Sequence, residues 1–296
     1  MTELAACVAA TKRFGPFTAV DAVDLQVRGG EIVGLLGANG AGKTTVIRML
    51  LGLTGVSAGA VALFGQRPSR ATRRRIGYLP QGLGLYEDLS PAENLQFTAQ
   101  IFGVAGDGLP PDLRPYAREL VGSLPLGVQR RVAFAQALSH RPELLMLDEP
   151  SSGVDPLGRA RLWETIGDAA EAGAGVLVTT HYMEEAQECG RLVIMAAGRV
   201  VAQGTAAEIV GSRQVTVVAA ESWSAAFGAL DTAGLPVALA GRGLRVPGAG
   251  PAEVSRARGD RPARVSQVPA TLEEAFFELS QPAAGARAGA PAETPA

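Results

Sequence analysis

The sequence predicts an α/β protein with a mainly helical insertion and a small α+β appendage. Three observations carry that prediction. Short continuous apolar runs alternate with helix-like stretches through the first two-thirds, runs of β type vanish between Ser90 and Ala137, and the texture changes again near Gly211. Alternation of this kind is expected of strands sandwiched between helices. The implied organisation is one domain over residues 1–211, its helical part at about 90–137, then an α+β domain over 212–280 and a disordered tail over 281–296.

The elements follow in order. Glu31-Ile32-Val33-Gly34-Leu35-Leu36, Glu143-Leu144-Leu145-Met146-Leu147 and Gly175-Val176-Leu177-Val178-Thr179-Thr180 lack polar alternation, so they read as strands buried on both faces. A helix is expected over 45–51, and Leu, Ala, Gln, Glu and Arg make the 90–137 stretch helical. From Gln214 the pattern is strand (215–219), helix (222–233), two strands (237–240 and 244–246), helix, strand (264–268) and helix. The last helix has a capping box, Thr271 with Glu274, and an apolar face at Leu272, Ala275, Phe276 and Leu279. Beyond Gln281 the chain is almost all Ala, Pro and Gly with scattered charge.

Composition narrows the partners. With 47% apolar residues, 19% charged residues and a net charge of -2, the chain is globular and is not built to bind a polyanion, so nucleic acid is excluded as the main partner. Cys7 and Cys189 are far apart and have no metal-ligand spacing, which fits a reducing, cytoplasmic setting. Neither a signal-peptide pattern nor an apolar run of about 18 residues is present, so the chain is expected neither to be secreted by that route nor to cross a membrane. Twenty-five of the 27 basic residues are Arg, and the two lysines are Lys12 and Lys43.

Lys43 lies in Gly37-Ala38-Asn39-Gly40-Ala41-Gly42-Lys43-Thr44-Thr45, which fits G-x-x-x-x-G-K-[ST] between a buried strand and a helix. Glycines let successive N–H groups curl around phosphates, and the helix N-terminus adds positive potential. Lys43 is placed to reach the β and γ phosphates, and Thr44 to hold Mg²⁺. A lysine in a chain that otherwise uses arginine marks a site needing a compact ammonium. Downstream, Leu144-Leu145-Met146-Leu147-Asp148-Glu149 is an apolar strand ending in two carboxylates: Asp148 to orient Mg²⁺ and Glu149 to act as general base. Asp155 follows in Ser152-Gly153-Val154-Asp155, another strand ends at Thr180-His181, and Gln81 ends Ile76-Gly77-Tyr78-Leu79-Pro80-Gln81 within reach of Mg²⁺ and the attacking water.

In this order the motifs resemble those of the ATP-binding-cassette (ABC) ATPase family, over about Leu4 to Val210. The resemblance implies a P-loop NTPase cassette with a RecA-like core, an antiparallel β subdomain and a helical subdomain. It also implies ATP and Mg²⁺ as ligands, Gln81 as the Gln loop, Asp155 in the D-loop and His181 as the switch histidine. Phe14 sits where the family places the aromatic that stacks on adenine; Phe17 is the weaker rival, and a core role is the alternative for either.

One motif departs from the family. Where the Leu-Ser-Gly-Gly-Gln signature belongs, the chain has Leu124-Pro125-Leu126-Gly127-Val128. Proline supplies neither hydroxyl nor N–H, which leaves Gly127 and the following helix N-terminus as the anion site. Ser123 is a candidate substitute hydroxyl, and the short 103–124 stretch implies a trimmed helical subdomain. The appendage resembles the C-terminal extension of daunorubicin-resistance-type drug exporters. Together these resemblances imply the ATP-hydrolysing subunit of an ABC-2-type exporter, peripheral on the inner face of the cell membrane. Two copies would pair on ATP and drive a separate integral-membrane permease. The alternatives are a soluble, non-transport ABC ATPase and an ATP-binding module whose turnover Pro125 impairs.

Overall fold

The computed structural model describes residues 2–281 apart from 106–107, 242 and 260–261. The tail expected after Gln281 lies outside the described residues. The chain divides into two compact units, Met1–Gln203 and Gly204–Ala296.

The first unit opens with β1 (Glu3–Phe14), β2 (Phe17–Arg28), β3 (Ile32–Leu36), α1 (Lys43–Leu50) and β4 (Ala58–Leu63). Then come α2 (Arg70–Arg73), β5 (Ile76–Leu79), α3 (Pro91–Phe102), α4 (Leu126–Leu138) and β6 (Leu144–Asp148). It closes with α5 (Pro156–Glu171), β7 (Gly175–Thr180), α6 (Met183–Ala186), β8 (Arg191–Ala196) and β9 (Arg199–Gly204). A six-stranded sheet has the order β5-β6-β7-β3-β8-β9, and a three-stranded sheet the order β2-β1-β4. Every pairing from β5 to β8 is parallel, whereas β1 pairs antiparallel with both β2 and β4.

The three apolar runs form the middle of the parallel sheet, and all residues of β6 and β7 are buried. Strands covered on both faces have no use for polar alternation, which is why the sequence shows none. Register then sets the chemistry. Asp148 pairs with Thr179 and Leu36 with Thr180, so the P-loop, the two carboxylates and His181 all leave the sheet at the C-terminal ends of adjacent strands. Ligands of α/β sheets bind at that edge.

Two expectations need adjustment. The first helix begins at Lys43 instead of Thr45, because Gly42 at φ 101° turns the chain into it and accepts the Val46 N–H. Between α3 and α4 the described residues form two 3-10 turns, Pro111–Tyr116 and Val121–Ser123. Prolines at 110, 111 and 115 leave too few donors there for a regular helix. Leu95, Leu113, Val121, Leu124, Val128 and Val132 bury one another into a small core that fixes this helical part.

The second unit contains α7 (Ala206–Val210), β10 (Gln214–Ala220), α8 (Trp223–Thr232), β11 (Ala238–Ala240) and β12 (Gly243–Val246). It continues with α9 (Pro251–Arg258), β13 (Ala263–Pro269) and α10 (Leu272–Ser280). α7 belongs to this unit because it packs on α10. The antiparallel order β11-β12-β10-β13 is that of a split βαβ arrangement, with Val218, Ala226, Leu230, Leu244, Val246 and Val254 in its core. The Thr271–Glu274 capping box is formed, and Arg245 pairs with Glu274.

Candidate functional site

The loop from Gly37 to Gly42 connects β3 to α1. Lys43 is 6% exposed, and its ammonium donates to the carbonyls of Gly37 (2.7 Å) and Ala38 (3.2 Å), so it is held inside the loop. Burial pulls the ammonium below its ordinary pKa, and the Glu149 and Asp148 carboxylates oppose that fall. Asn39 and Gly40 form the exposed crest of the loop, and Ala41 is buried beneath it.

Asp148 joins three elements. One carboxylate oxygen accepts from Thr44 Oγ1 at 2.9 Å, and the other from Thr179 Oγ1 at 2.5 Å. The pair Thr44 and Asp148 offers the hard oxygen donors that Mg²⁺ takes alongside phosphate oxygens, so these residues fit the ion. A Mg²⁺ held there would supply positive charge to the phosphates.

Glu149 follows in a left-handed conformation, φ 52°, which costs a residue with a Cβ about 1–3 kcal/mol. Its backbone is held on both sides. Arg130 of α4 donates to its carbonyl at 2.5 Å, while its own N–H reaches the carbonyl and hydroxyl of Thr179 at 3.2 and 3.0 Å. The carboxylate is thereby turned toward His181, with Oε1 3.4 Å from Nδ1. The His181 ring leans on Tyr182 at 4.2 Å.

Other expected residues stand apart from this cluster. Gln81 occupies the exposed turn after β5, beside the strand that delivers Asp148. Phe14 and Phe17 face each other across the β1–β2 turn at 51% exposure each, so neither is a core residue. The Lys12 ammonium lies 4.9 Å over the Phe14 ring. Asp155 caps α5 by accepting the Gly158 N–H at 2.9 Å, which holds its carboxyl below the ordinary range. Thr45 lies in the first turn of α1. The hydroxyl of Ser123 does not stand in for the missing signature serine, because it donates to the carbonyl of Leu120 at 2.7 Å.

The helix ends show a pattern. Among helices of eight or more residues in the first unit, α3 and α5 close their N-termini with their own or capping side chains, Ser90 with Glu93 and Asp155. α1, after Gly42, and α4, after Pro125, have no side-chain cap. Those two helices begin at the P-loop and at the variant signature, and free N–H groups at a helix start suit an anion.

A family model described as ABC transporter matches residues 20–152. The Nod factor export ATP-binding protein I of Cupriavidus metallidurans is 41% identical over 214 residues, covering 68% of this chain and 71% of that protein. The chain belongs to the ABC transporter ATP-binding family. The probable multidrug ABC transporter ATP-binding protein YbhF of Escherichia coli is 40% identical over 207 residues, and the chain spans only 36% of its length. Among solved structures, an ATP-binding subunit of an ABC transporter is 32% identical with a TM-score of 0.65, covering 70% of this chain and 91% of that one. The cassette fold read from the motifs is the fold observed.

Sequence reasoning did not single out Thr179, Arg130 or Glu185. A threonine at the end of an apolar run hints at a polar duty, but Arg130 is one arginine among 25 and carries no local signal.

Proposed function

We propose that this ABC cassette hydrolyses ATP as the motor of an exporter of the ABC-2 type. The observation that carries the reading is the single cluster in which Asp148 holds the P-loop hydroxyl of Thr44 while the adjacent Glu149 faces His181. In the reaction, the oxygen of a water attacks the γ-phosphorus and the bond to the β-bridging oxygen breaks. Glu149 takes the water proton, His181 and Gln81 orient the water and the γ-phosphate, and Lys43 neutralises charge on the β and γ phosphates. The P-loop residues Gly37 to Thr45 cradle the phosphates, Thr44, Asp148 and Gln81 serve Mg²⁺, and Phe14 supports the adenine.

Two copies pair head to tail, so that Gly127, the start of α4 and the D-loop Asp155 of each complete the site of the other. Among the described residues no helix is long and apolar enough to cross a membrane. In this reading the pair works against a separate integral-membrane permease on the inner face of the cell membrane. Relatives named for multidrug and Nod factor export support the exporter direction.

Mg-ATP turnover tests the reading. Replacing Glu149 by Gln is expected to lower kcat by about 10²–10⁴-fold and to leave nucleotide binding in place. No turnover in the unaltered protein would favour the other reading, a binding module that Pro125 has stopped from turning over, and equal measurable rates in the two proteins would mean that Glu149 is not the general base.

A further inference from the structure

Glu185, in α6, is a carboxylate only 2% exposed, in a position that no step of hydrolysis uses. One of its oxygens accepts the hydroxyl of Ser151, and the other accepts Thr180 Oγ1 at 2.6 Å. Ser151 lies two residues beyond Glu149, and Thr180 immediately precedes His181. The Thr180 hydroxyl is itself engaged twice, since it also accepts the Tyr182 N–H at 3.0 Å and so fixes the turn on both sides of His181. Arg159 of α5 supplies the counter-charge. Its Nε lies 3.6 Å from Glu185, its Nη1 3.7 Å from Glu184, and its guanidinium 4.9 Å from the centre of the Tyr182 ring, which in turn leans on His181.

A buried carboxylate is costly unless every oxygen is satisfied. Here the satisfying groups come from the loop after Glu149 and from the end of β7 next to His181, the two facing catalytic side chains. We propose that Glu185 is a positioning residue: it ties the loop after Glu149 to the end of β7 before His181 and thereby sets their 3.4 Å approach. It acts on the rate of hydrolysis and leaves nucleotide affinity alone. Through Arg159, the same tie connects the switch loop to α5, the helix that Asp155 caps.

The proposal deepens the ATPase reading and rests on it, so its test has two arms in the full chain. Glu185→Gln keeps the volume but replaces one accepting oxygen by an NH₂ that cannot accept a hydroxyl proton. The turnover arm expects kcat about ten-fold lower with KM for ATP within about two-fold, and partial recovery in Glu185→Asp. Unchanged kcat, or KM rising in step with the fall in kcat, overturns the proposal. The second arm needs no turnover. The chain has two histidines, His140 and His181, so their ring resonances are readily told apart by NMR. Glu185→Gln is expected to move the His181 signals and leave those of His140 in place; no movement of His181, or equal movement of both, overturns it. A wild-type protein without turnover would sink the ATPase reading alone, and the His181 signals would still decide the role of Glu185.

Discussion

The N-termini of α1 and α4 are both left without a side-chain cap, yet they are furnished very differently. At α1 the uncapped N–H groups are joined by the Lys43 ammonium, held by the carbonyls of Gly37 and Ala38, and by the Thr44 hydroxyl, which donates to Asp148 beside Glu149. At α4 the preceding residue is Pro125, and the local hydroxyl of Ser123 is spent on Leu120. One end is surrounded by charged and hydroxyl side chains and the other is a bare helix end. A helix start attracts an anion through its backbone alone, but only weakly; side chains decide how tightly the anion is held and what is done to it. This chain concentrates that investment at α1.

The contrast is sharpened first by removing what α1 has. Lys43→Ala takes away a charge-assisted contact to phosphate and is expected to weaken ATP binding by about 100-fold in a direct titration. A small change would mean that the backbone of the loop does most of the holding, and the two helix ends would then be alike. The converse experiment gives α4 what it lacks. Pro125→Ser restores a hydroxyl, and a hydrogen bond to a charged phosphate should tighten ATP-dependent pairing by about ten-fold. Its effect on stability should be slight, because a capping gain of about 1 kcal/mol is offset by about 0.4–1 kcal/mol from freeing the unfolded chain. Thermal unfolding checks that cancellation.

The smallest effect is expected at Gly127. A Cβ there would lie 3.1 Å from the carbonyl of Gly153, so helix start and D-loop would have to part by a few tenths of an ångström. Alanine also raises helix propensity by up to about 1 kcal/mol, so stability should hardly change. Turnover is expected to fall about three- to ten-fold, with ATP affinity of the single chain unaltered. A loss of affinity would place Gly127 in the site of its own chain.

The same contrast explains what the sequence could disclose. The α1 end was legible because the P-loop has fixed spacing and because Asp148 and Glu149 end an unmistakable apolar strand. Fold class was legible for a related reason: strands covered on both faces cannot hide their apolar composition. What stayed out of view depends on pairing across long sequence separations. The Asp148–Thr179 register, the grip of Arg130 on the Glu149 carbonyl and the tie from Glu185 to Ser151 each join residues whose partners only folding brings near. Asp155 shows another limit, since an aspartate followed by proline reads equally as a helix cap and as part of a D-loop, and its carboxylate caps α5.

The central claim is that the two uncapped helix ends meet across a pair of chains with ATP between them. Its most direct test is the mass of the Glu149→Gln protein in solution, by light scattering, with and without Mg-ATP. A roughly two-fold rise in mass with Mg-ATP is the predicted result. A mass that stays at the monomer value would contradict the claim, because the bare end of α4 would then be unable to close on the phosphate held at α1.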